Sequence, residues 1–178
     1  MADLIFKLVV SEDGKDVFTT PLSYEMVSYI TDSYPDTSES DNYLKLTSKH
    51  AASSVREAVA RKVNLSPDVV ATLSKDASIP VLCTLVSSGA FKKIASQDLL
   101  EKLIKLDTAI AQIIANDVGS YDQADADRLA SVLAAIADPA VLACLAGRSC
   151  TPPKVLKSLV NHPDLEVASR ARRTLQDS

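Results

Sequence analysis

A nine-residue phrase that recurs along the chain constrains its fold more than any other feature. Residues 138–146 read Asp-Pro-Ala-Val-Leu-Ala-Cys-Leu-Ala, with an aliphatic anchor three residues after the aspartate and an apolar pair four and five residues after that anchor. Variants of the phrase place their anchors at Val55, Val81, Ile110, Val141 and Val167. Because residues four apart lie on one face of an α-helix, each variant predicts a short helix with a buried stripe.

The residues between the anchors repeat as well. A residue that tolerates the left-handed conformation, and so can close a helix, follows each of the first four anchors, at Asn64, Gly89, Gly119 and Gly147. Next come N-cap candidates, at Ser66, Ser96, Asp122 or Asp125, and Thr151. Second apolar stretches follow, over residues 69–73, 99–106, 129–136 and 155–160. An aspartate then precedes the next anchor and is predicted to cap its helix, at Asp76, Asp107, Asp138 and Asp164.

Together these features predict a helix–turn–helix unit that is stacked about four and a half times. Successive anchors are 26, 29, 31 and 26 residues apart. Units this short cannot bury their apolar faces alone, so they must stack on their neighbours, and such stacking produces an α-solenoid. The predominance of Ala, Val, Leu and Ile, with no Trp and only four Gly, also favours closely packed helices.

Two stretches of the chain carry a family resemblance. Residues 54–76 read Ser-Val-Arg-Glu-Ala-Val-Ala-Arg-Lys-Val-Asn-Leu-Ser-Pro-Asp-Val-Val-Ala-Thr-Leu-Ser-Lys-Asp, and residues 161–173 read Asn-His-Pro-Asp-Leu-Glu-Val-Ala-Ser-Arg-Ala-Arg-Arg. They resemble leucine-rich repeat variants, a group akin to HEAT repeats, and the resemblance extends over residues 47–175. It implies a right-handed superhelix of short helical hairpins. The founding member of that family carries an iron–sulfur cluster on N-terminal cysteines. The first cysteine here is Cys83, so we expect no such cluster and no cofactor.

The N-terminal residues follow a different pattern. Two segments, residues 4–10 and 17–20, are rich in β-branched and aromatic residues, and the Asp13-Gly14 pair between them predicts a β-hairpin. Helical spacing of apolar residues over residues 22–30 predicts a short helix, and the polar residues 31–42 predict a loop. We therefore expect residues 1–46 to form a capping segment that covers the apolar end of a repeat domain at residues 47–178.

The chain lacks the motifs of the common enzyme classes. It has no glycine-rich phosphate loop, no nucleophile elbow and no zinc-protease motif. Its two histidines, His50 and His162, do not belong to any catalytic motif. Cys144 and Cys150 lack the spacing and the fourth ligand of a zinc site. We therefore predict no catalytic residues and no metal. Three cysteines without disulfide spacing favour a reducing cytoplasm, and the apolar stretch at residues 129–147 is interrupted by Asp138-Pro139, which argues against a membrane span.

The longest connection between predicted helices, residues 116–127, is one candidate for a binding site. Insertions in solenoids collect on one face, and that face often binds the partner. Tyr121 lies here among Asp122, Asp125 and Asp127, which could contact a basic protein. The alternative is a solvated loop in which Asp125 or Asp127 caps the next helix, and capping alone explains aspartates at such a place.

Basic residues near the C-terminus are a second candidate. Residues 1–43 have a net charge of −7 and residues 44–178 a net charge of +3. Arg148, Arg170, Arg172 and Arg173 could meet nucleic-acid phosphates. However, Arg56 is replaced by apolar residues at the equivalent positions of later repeats, so no ladder of positive charge forms. The terminal repeat of a solenoid also needs a polar outer side, which these arginines supply.

The leading hypothesis is thus a non-enzymatic protein–protein interaction module that is cytoplasmic, does not enter a membrane and binds a protein partner. Nucleic-acid association is the alternative, and an enzyme with its site in the N-terminal region is a third.

Overall fold

The computed structural model describes residues 4–177, which are mainly helical with one small antiparallel sheet at the N-terminal end. The chain divides into two compact units, with unit 1 ending at Phe91 and unit 2 beginning at Lys92. The predicted domain boundary at residue 46 falls inside unit 1 and stays a prediction. No helix among the described residues is long and apolar enough to cross a membrane.

Unit 1 begins with the predicted β-hairpin. Strand β1 spans Lys7–Glu12 and pairs antiparallel with strand β2, Lys15–Pro21. The two-residue turn is Asp13-Gly14, and both residues have positive φ, 50° and 76°. Two positive φ angles in succession are the geometry that lets a two-residue turn follow the twist of a hairpin. The hairpin prediction is confirmed.

Six helices follow, and the first five of them pack in two rows. The helices of unit 1 are α1 Tyr24–Ser33, α2 Asp41–Thr47, α3 Ser53–Ala60, α4 Pro67–Leu73 and α5 Ile79–Ser87, and α6 Gly89–Ile94 contains the unit boundary. Helix α1 packs against α3, and α3 packs against α5. Helices α2 and α4 contact each other and α3 on the second side of this row. The anchors Val55 and Val81 are fully buried between the rows.

The predicted loop at residues 31–42 is partly wrong. Helix α1 continues to Ser33, a 3₁₀ turn occupies Ser38–Ser40, and α2 begins at Asp41. The polar groups of residues 31–42 form hydrogen bonds with other residues of unit 1. The carboxylate of Asp36 accepts the backbone N–H groups of residues 63 and 64 at 2.5 and 3.0 Å, and Lys62 Nζ donates to the carbonyls of residues 32 and 34 at 2.9 and 2.7 Å. A polar composition was therefore compatible with local helical structure here.

Unit 2 has the same two-row organisation. Its helices are α7 Gln97–Ile104, α8 Thr108–Asn116, α9 Gln123–Ala134, α10 Pro139–Ala146, α11 Pro153–Leu159 and α12 Leu165–Gln176. The anchor helices α8, α10 and α12 pack in succession, and α7, α9 and α11 form the other row. The anchors Ile110, Val141 and Val167 are fully buried, as the repeat predicts.

Three of the four predicted aspartate caps are confirmed. Asp107, Asp138 and Asp164 each accept a backbone N–H two residues later, at 2.8, 3.0 and 2.9 Å. The prediction for Asp76 is wrong, because α5 begins at Ile79 with Ser78 at the N-cap position. Thr151 is also not an N-cap: Pro152 holds that position, and the Thr151 hydroxyl donates to the carbonyl of Leu145 at 2.6 Å.

The predicted left-handed helix ends are wrong. Among residues 4–177, Gly14 is the only glycine with positive φ, and Gly147 closes α10 with φ −84°. Gly89 instead begins α6, and Gly119 lies in the 3₁₀ turn Val118–Ser120. Gly119 is required for space and not for φ, since a Cβ there would lie 2.9 Å from Cys150 Sγ.

Candidate functional site

The β-hairpin exposes apolar side chains on its surface. Directly paired residues share a face, so the pair Val10 and Phe18 lies on the same face as Leu8, whose partner is Thr20. Leu8, Val10 and Phe18 are 47%, 46% and 54% exposed, and we call these three residues the hairpin surface. Val9, on the other face, is exposed as well. Among residues 4–91, nothing therefore covers either face of the sheet completely.

The hairpin is attached to the helices only near its base. The ring of Phe6 lies edge-on to Tyr43 at 6.0 Å and is tilted against His50 at 5.8 Å. Helix α1 packs against α3, whereas the strands are exposed over nearly their whole length. Helix α1 thus makes the main contact of the N-terminal residues with α3, and the hairpin meets the helices at its base.

A cleft lies beside the base of the hairpin. It has a volume of about 370 Å³ and is lined by residues 6–9, by Leu22, Val27 and Ile30, and by Tyr43. Tyr34 stacks on Tyr43 at 4.4 Å, and the Tyr43 hydroxyl lies 2.8 Å from Thr31 Oγ1. Burial raises the pKa of Tyr43, and the hydrogen bond to Thr31 opposes this only in part. Tyr43 therefore stays neutral, and the cleft has a largely apolar lining held by rigid contacts.

Two of the nine N-terminal acids form salt bridges inside unit 1. Asp32 forms a salt bridge with Arg61 at 2.9 Å, and Asp41 forms one with Lys45 at 2.8 Å. The Arg61 pKa is raised chiefly by the hydrogen bond to Asp32. These contacts account for part of the acidic surplus in the sequence.

An ion pair that the sequence did not predict joins Arg56 of α3 to Asp76, which lies between α4 and α5. Arg56 Nε and Nη2 donate to the two carboxylate oxygens of Asp76 at 2.5 and 2.9 Å. Arg56 Nη1 also donates to the carbonyls of His50 and Ala51, each at 2.7 Å. Burial acts to raise the pKa of Asp76, but the hydrogen bonds from Arg56 and from the Ser78 N–H outweigh it and lower the pKa. Asp76 is thus a structural carboxylate.

The loop candidate at residues 116–127 is folded closely onto unit 2. The Tyr121 hydroxyl is buried, and within residues 4–177 it has no hydrogen-bond partner. Burial, with a smaller contribution from Asp117, raises the Tyr121 pKa. Asp122 is the N-cap of α9 and accepts the N–H of Asp125 at 3.0 Å. Asp127 accepts a hydrogen bond from Gln123 at 2.8 Å. An aspartate does cap α9, but it is Asp122, so the expectation that Asp125 or Asp127 is the cap is wrong. Partner binding by these residues stays a prediction.

The C-terminal arginines do not form one surface. Arg148 donates to Asn116 Oδ1 at 2.7 Å, and Arg172 donates to the carbonyl of Val160 at 2.7 Å. Arg170 donates to Glu166 at 2.6 Å and lines, with Arg173, a cleft of about 370 Å³ near Gly147. Only Arg170 and Arg173 are therefore brought to a common cleft, which Asp177 also lines.

The histidines serve as turn residues. Nδ1 of His50 accepts the N–H of Ala52, and Nδ1 of His162 accepts the N–H of Asp164, each at 3.1 Å. These are the same local turn in two repeats. Cys83 and Cys144 lie in α5 and α10 among aliphatic residues, where a cysteine usually packs as a small buried hydrophobe, yet both are only half-buried. Across residues 4–177 no three His, Cys, Asp or Glu side chains are grouped so that they could hold a metal ion.

The hairpin surface was missed by sequence reasoning, although the sequence contained a signal. Residues 8–10 are three consecutive apolar residues, and Val17 and Phe18 are two more. A half-covered strand alternates apolar and polar residues, so a strand without a polar face must be covered on both sides or available to a partner.

No protein-family model, no curated protein and no solved structure matches this chain.

Proposed function

We propose that the protein is a non-enzymatic protein–protein interaction module, built on helical repeats, that binds its partner through the hairpin surface. One observation carries this proposal: Leu8, Val10 and Phe18 are about half exposed on one face of a sheet that the helices do not cover. Contiguous exposed apolar residues on a folded protein mark sites of interaction. Aromatic and aliphatic anchors are also the residues that contribute most to binding interfaces.

The energetics of the hairpin support this assignment. An isolated two-stranded hairpin is only marginally stable in water, because it lacks a covered face. Burying a large apolar side chain completely contributes about 1.5–3 kcal/mol, so covering the exposed half of Leu8, Val10 and Phe18 is worth about 3 kcal/mol in total. A partner that covers this face would stabilise the hairpin and gain affinity from the same contact.

The repeat helices serve as the scaffold in this proposal. The proposed family is that of leucine-rich repeat variants or HEAT-like repeats, arranged as an α-solenoid. Support comes from the two rows of helices in unit 2, in which α8, α10 and α12 pack in succession through buried anchors. Helical-repeat proteins of this kind hold binding elements on a rigid, layered core.

The proposal is tested by affinity capture from the native host with two matched variants. Val10→Ser combined with Phe18→Ser removes apolar area from the hairpin surface. Leu165→Ser removes an equally apolar side chain that is 84% exposed in unit 2. We expect the double variant to lose a captured protein that both the wild type and the Leu165 variant retain. Capture that survives the double variant would refute the proposal.

Nucleic-acid association is the second candidate, and the cleft shared by Arg170 and Arg173 is the observation that favours it. Binding to duplex DNA that decreases steeply with added salt, and that weakens in Arg173→Ala, would support it. Absence of binding at low salt would remove it.

A further inference from the structure

The backbone hydrogen bonds of the hairpin show which groups remain available at its edges. The N–H of Leu22 donates to the carbonyl of Phe6 at 2.8 Å, so these two residues form a hydrogen-bonded pair that extends the ladder. Hydrogen-bonded and non-hydrogen-bonded pairs alternate in an antiparallel sheet. The pairs Lys7 with Pro21 and Val9 with Thr19 are therefore non-hydrogen-bonded. Their N–H and C=O groups point away from the hairpin.

The two edges of the hairpin differ in their capacity to accept another strand. On the β2 edge Pro21 has no N–H, and an irregularity next to Val17 interrupts the register. Prolines and bulges are devices that protect an edge from pairing. The β1 edge has neither over residues 7–10, and it presents the N–H and C=O groups of Lys7 and Val9. The charge of Lys7 discourages pairing with a strand that lacks an opposite charge there. Of the two edges, β1 is the one with a regular register over residues 7–10.

The cleft described above borders β1 at the base of the hairpin. Residues 6–9 line it, and Leu22, the ladder partner of Phe6, lines it as well. The cleft therefore reaches from the end of the ladder to the first residues of β1. Val27 and Ile30 of α1 form the opposite wall. An edge strand beside an apolar helix wall is the arrangement used to bind extended peptides, with main-chain bonds for affinity and alternate side chains for selectivity.

We propose that the β1 edge binds an extended segment of another protein as a third strand, running antiparallel to β1 along the cleft. This inference rests on the proposed function and specifies its partner. Apolar residues opposite Leu8 and Val10 would extend the apolar face of the hairpin surface. Lys7 faces the uncharged Pro21 across the ladder, whereas Glu12 already faces Lys15. The segment therefore carries an acidic residue opposite Lys7, since opposite charges on neighbouring strands attract.

The test uses a synthetic peptide, acetyl-Lys-Thr-Val-Thr-Val-Glu-amide, in which the second Thr is placed opposite Val9 and the Glu opposite Lys7. Titration into isotope-labelled full-length protein is followed by NMR. We expect saturable shifts of the Lys7 and Val9 amides and of the Val27 and Ile30 methyl groups. Replacing the second Thr of the peptide, the one opposite Val9, by Pro should weaken binding by about tenfold or more, because the hydrogen bond from its N–H to the β1 edge is lost.

Two proline variants are matched controls for the edge. Val9→Pro removes an outward N–H from β1, and Thr19→Pro removes the outward N–H directly across the ladder on β2. Neither change removes a bond within the hairpin. We expect Val9→Pro to abolish the shifts and Thr19→Pro to retain them. Lys7→Glu keeps every backbone group and should reverse the charge preference, so that a peptide ending in Lys binds better than the one ending in Glu.

Several results would overturn the inference. These are the absence of saturable shifts up to about 1 mM peptide, equal binding by the Val9→Pro variant, an unchanged charge preference in Lys7→Glu, and sedimentation showing that a second copy of the chain occupies the edge. The proposed function is judged separately. If the Val10 and Phe18 double variant loses the native partner while Val9→Pro keeps it, the hairpin surface binds through its face and only the strand-addition inference falls.

Discussion

The ion pair between Arg56 and Asp76 gives a sharp test of how unit 1 is stabilised. Asp76 is only 5% exposed and Arg56 18%, and the guanidinium binds both carboxylate oxygens. Removing one partner of a fully buried pair costs about 3–5 kcal/mol, because the other charge is left without its partner. Arg56 is partly exposed and keeps its bonds to two backbone carbonyls. We therefore expect Asp76→Asn to lower the free energy of unfolding by about 2–3 kcal/mol.

The same unit contains a matched control with the same chemistry and a different exposure. Arg61 Nε and Nη2 donate to the two carboxylate oxygens of Asp32 at 3.0 and 2.9 Å. Both side chains are more than two-fifths exposed, at 44% and 42%. Exposed pairs contribute about 0–1 kcal/mol, so Asp32→Asn should have a small effect. Urea unfolding followed by circular dichroism measures both variants.

The pH dependence of the Asp76 effect follows from its pKa. The folded-state pKa is lowered, so the carboxylate stabilises the fold at pH values above its unfolded-state pKa. The stability difference between wild type and Asp76→Asn should be constant near neutral pH. It should decrease below the ordinary aspartate pKa of about 3.9 and disappear as pH falls through the lowered value. Equal losses of unfolding free energy in Asp76→Asn and Asp32→Asn would refute the reasoning. So would a loss for Asp76→Asn that persists under strongly acidic conditions.

Three further predictions concern the repeat helices. Leu85→Ala, at a fully buried position of α5, should lower the free energy of unfolding by about 2–5 kcal/mol, because apolar burial is lost and a cavity is created. The control Leu165→Ala, at an exposed position, should leave the urea midpoint nearly unchanged. Asp138→Ala removes the cap of α10 and should cost about 1 kcal/mol by the same assay, with Asp138→Asn retaining most of the stability. Gly119→Ala should lower the melting temperature because its Cβ would lie 2.9 Å from Cys150 Sγ, and Cys150→Ala should restore it; no rescue would place the cause elsewhere.

Much of the helical pattern was predictable because its causes are local. A residue that caps a helix bonds an N–H two or three positions later, as Asp107, Asp138 and Asp164 do. The buried stripe depends on spacing within one helix, and all five anchors are fully buried as the periodicity indicates. The hairpin turn likewise depends on Asp13 and Gly14 alone.

Predictions failed where a distant group competes for a residue. Asp76 precedes its anchor Val81 by five residues, whereas the three capping aspartates precede theirs by three, and its carboxylate binds an arginine twenty positions earlier. Tyr121 reads as a loop aromatic, but its hydroxyl is buried by the fold of unit 2. No local pattern contains these neighbours.

The sequence by itself determined the helical periods, the aspartate caps and the turn of the hairpin, since each depends on contacts within a few residues. Only the tertiary structure decided which apolar residues are covered. Val55 and Leu8 are both apolar and both lie in regular elements, yet Val55 is fully buried and Leu8 is about half exposed. The difference arises because burial requires a second element to pack on the first. Helix α1 packs on α3, whereas within residues 4–177 no element packs on the hairpin surface closely enough to bury it.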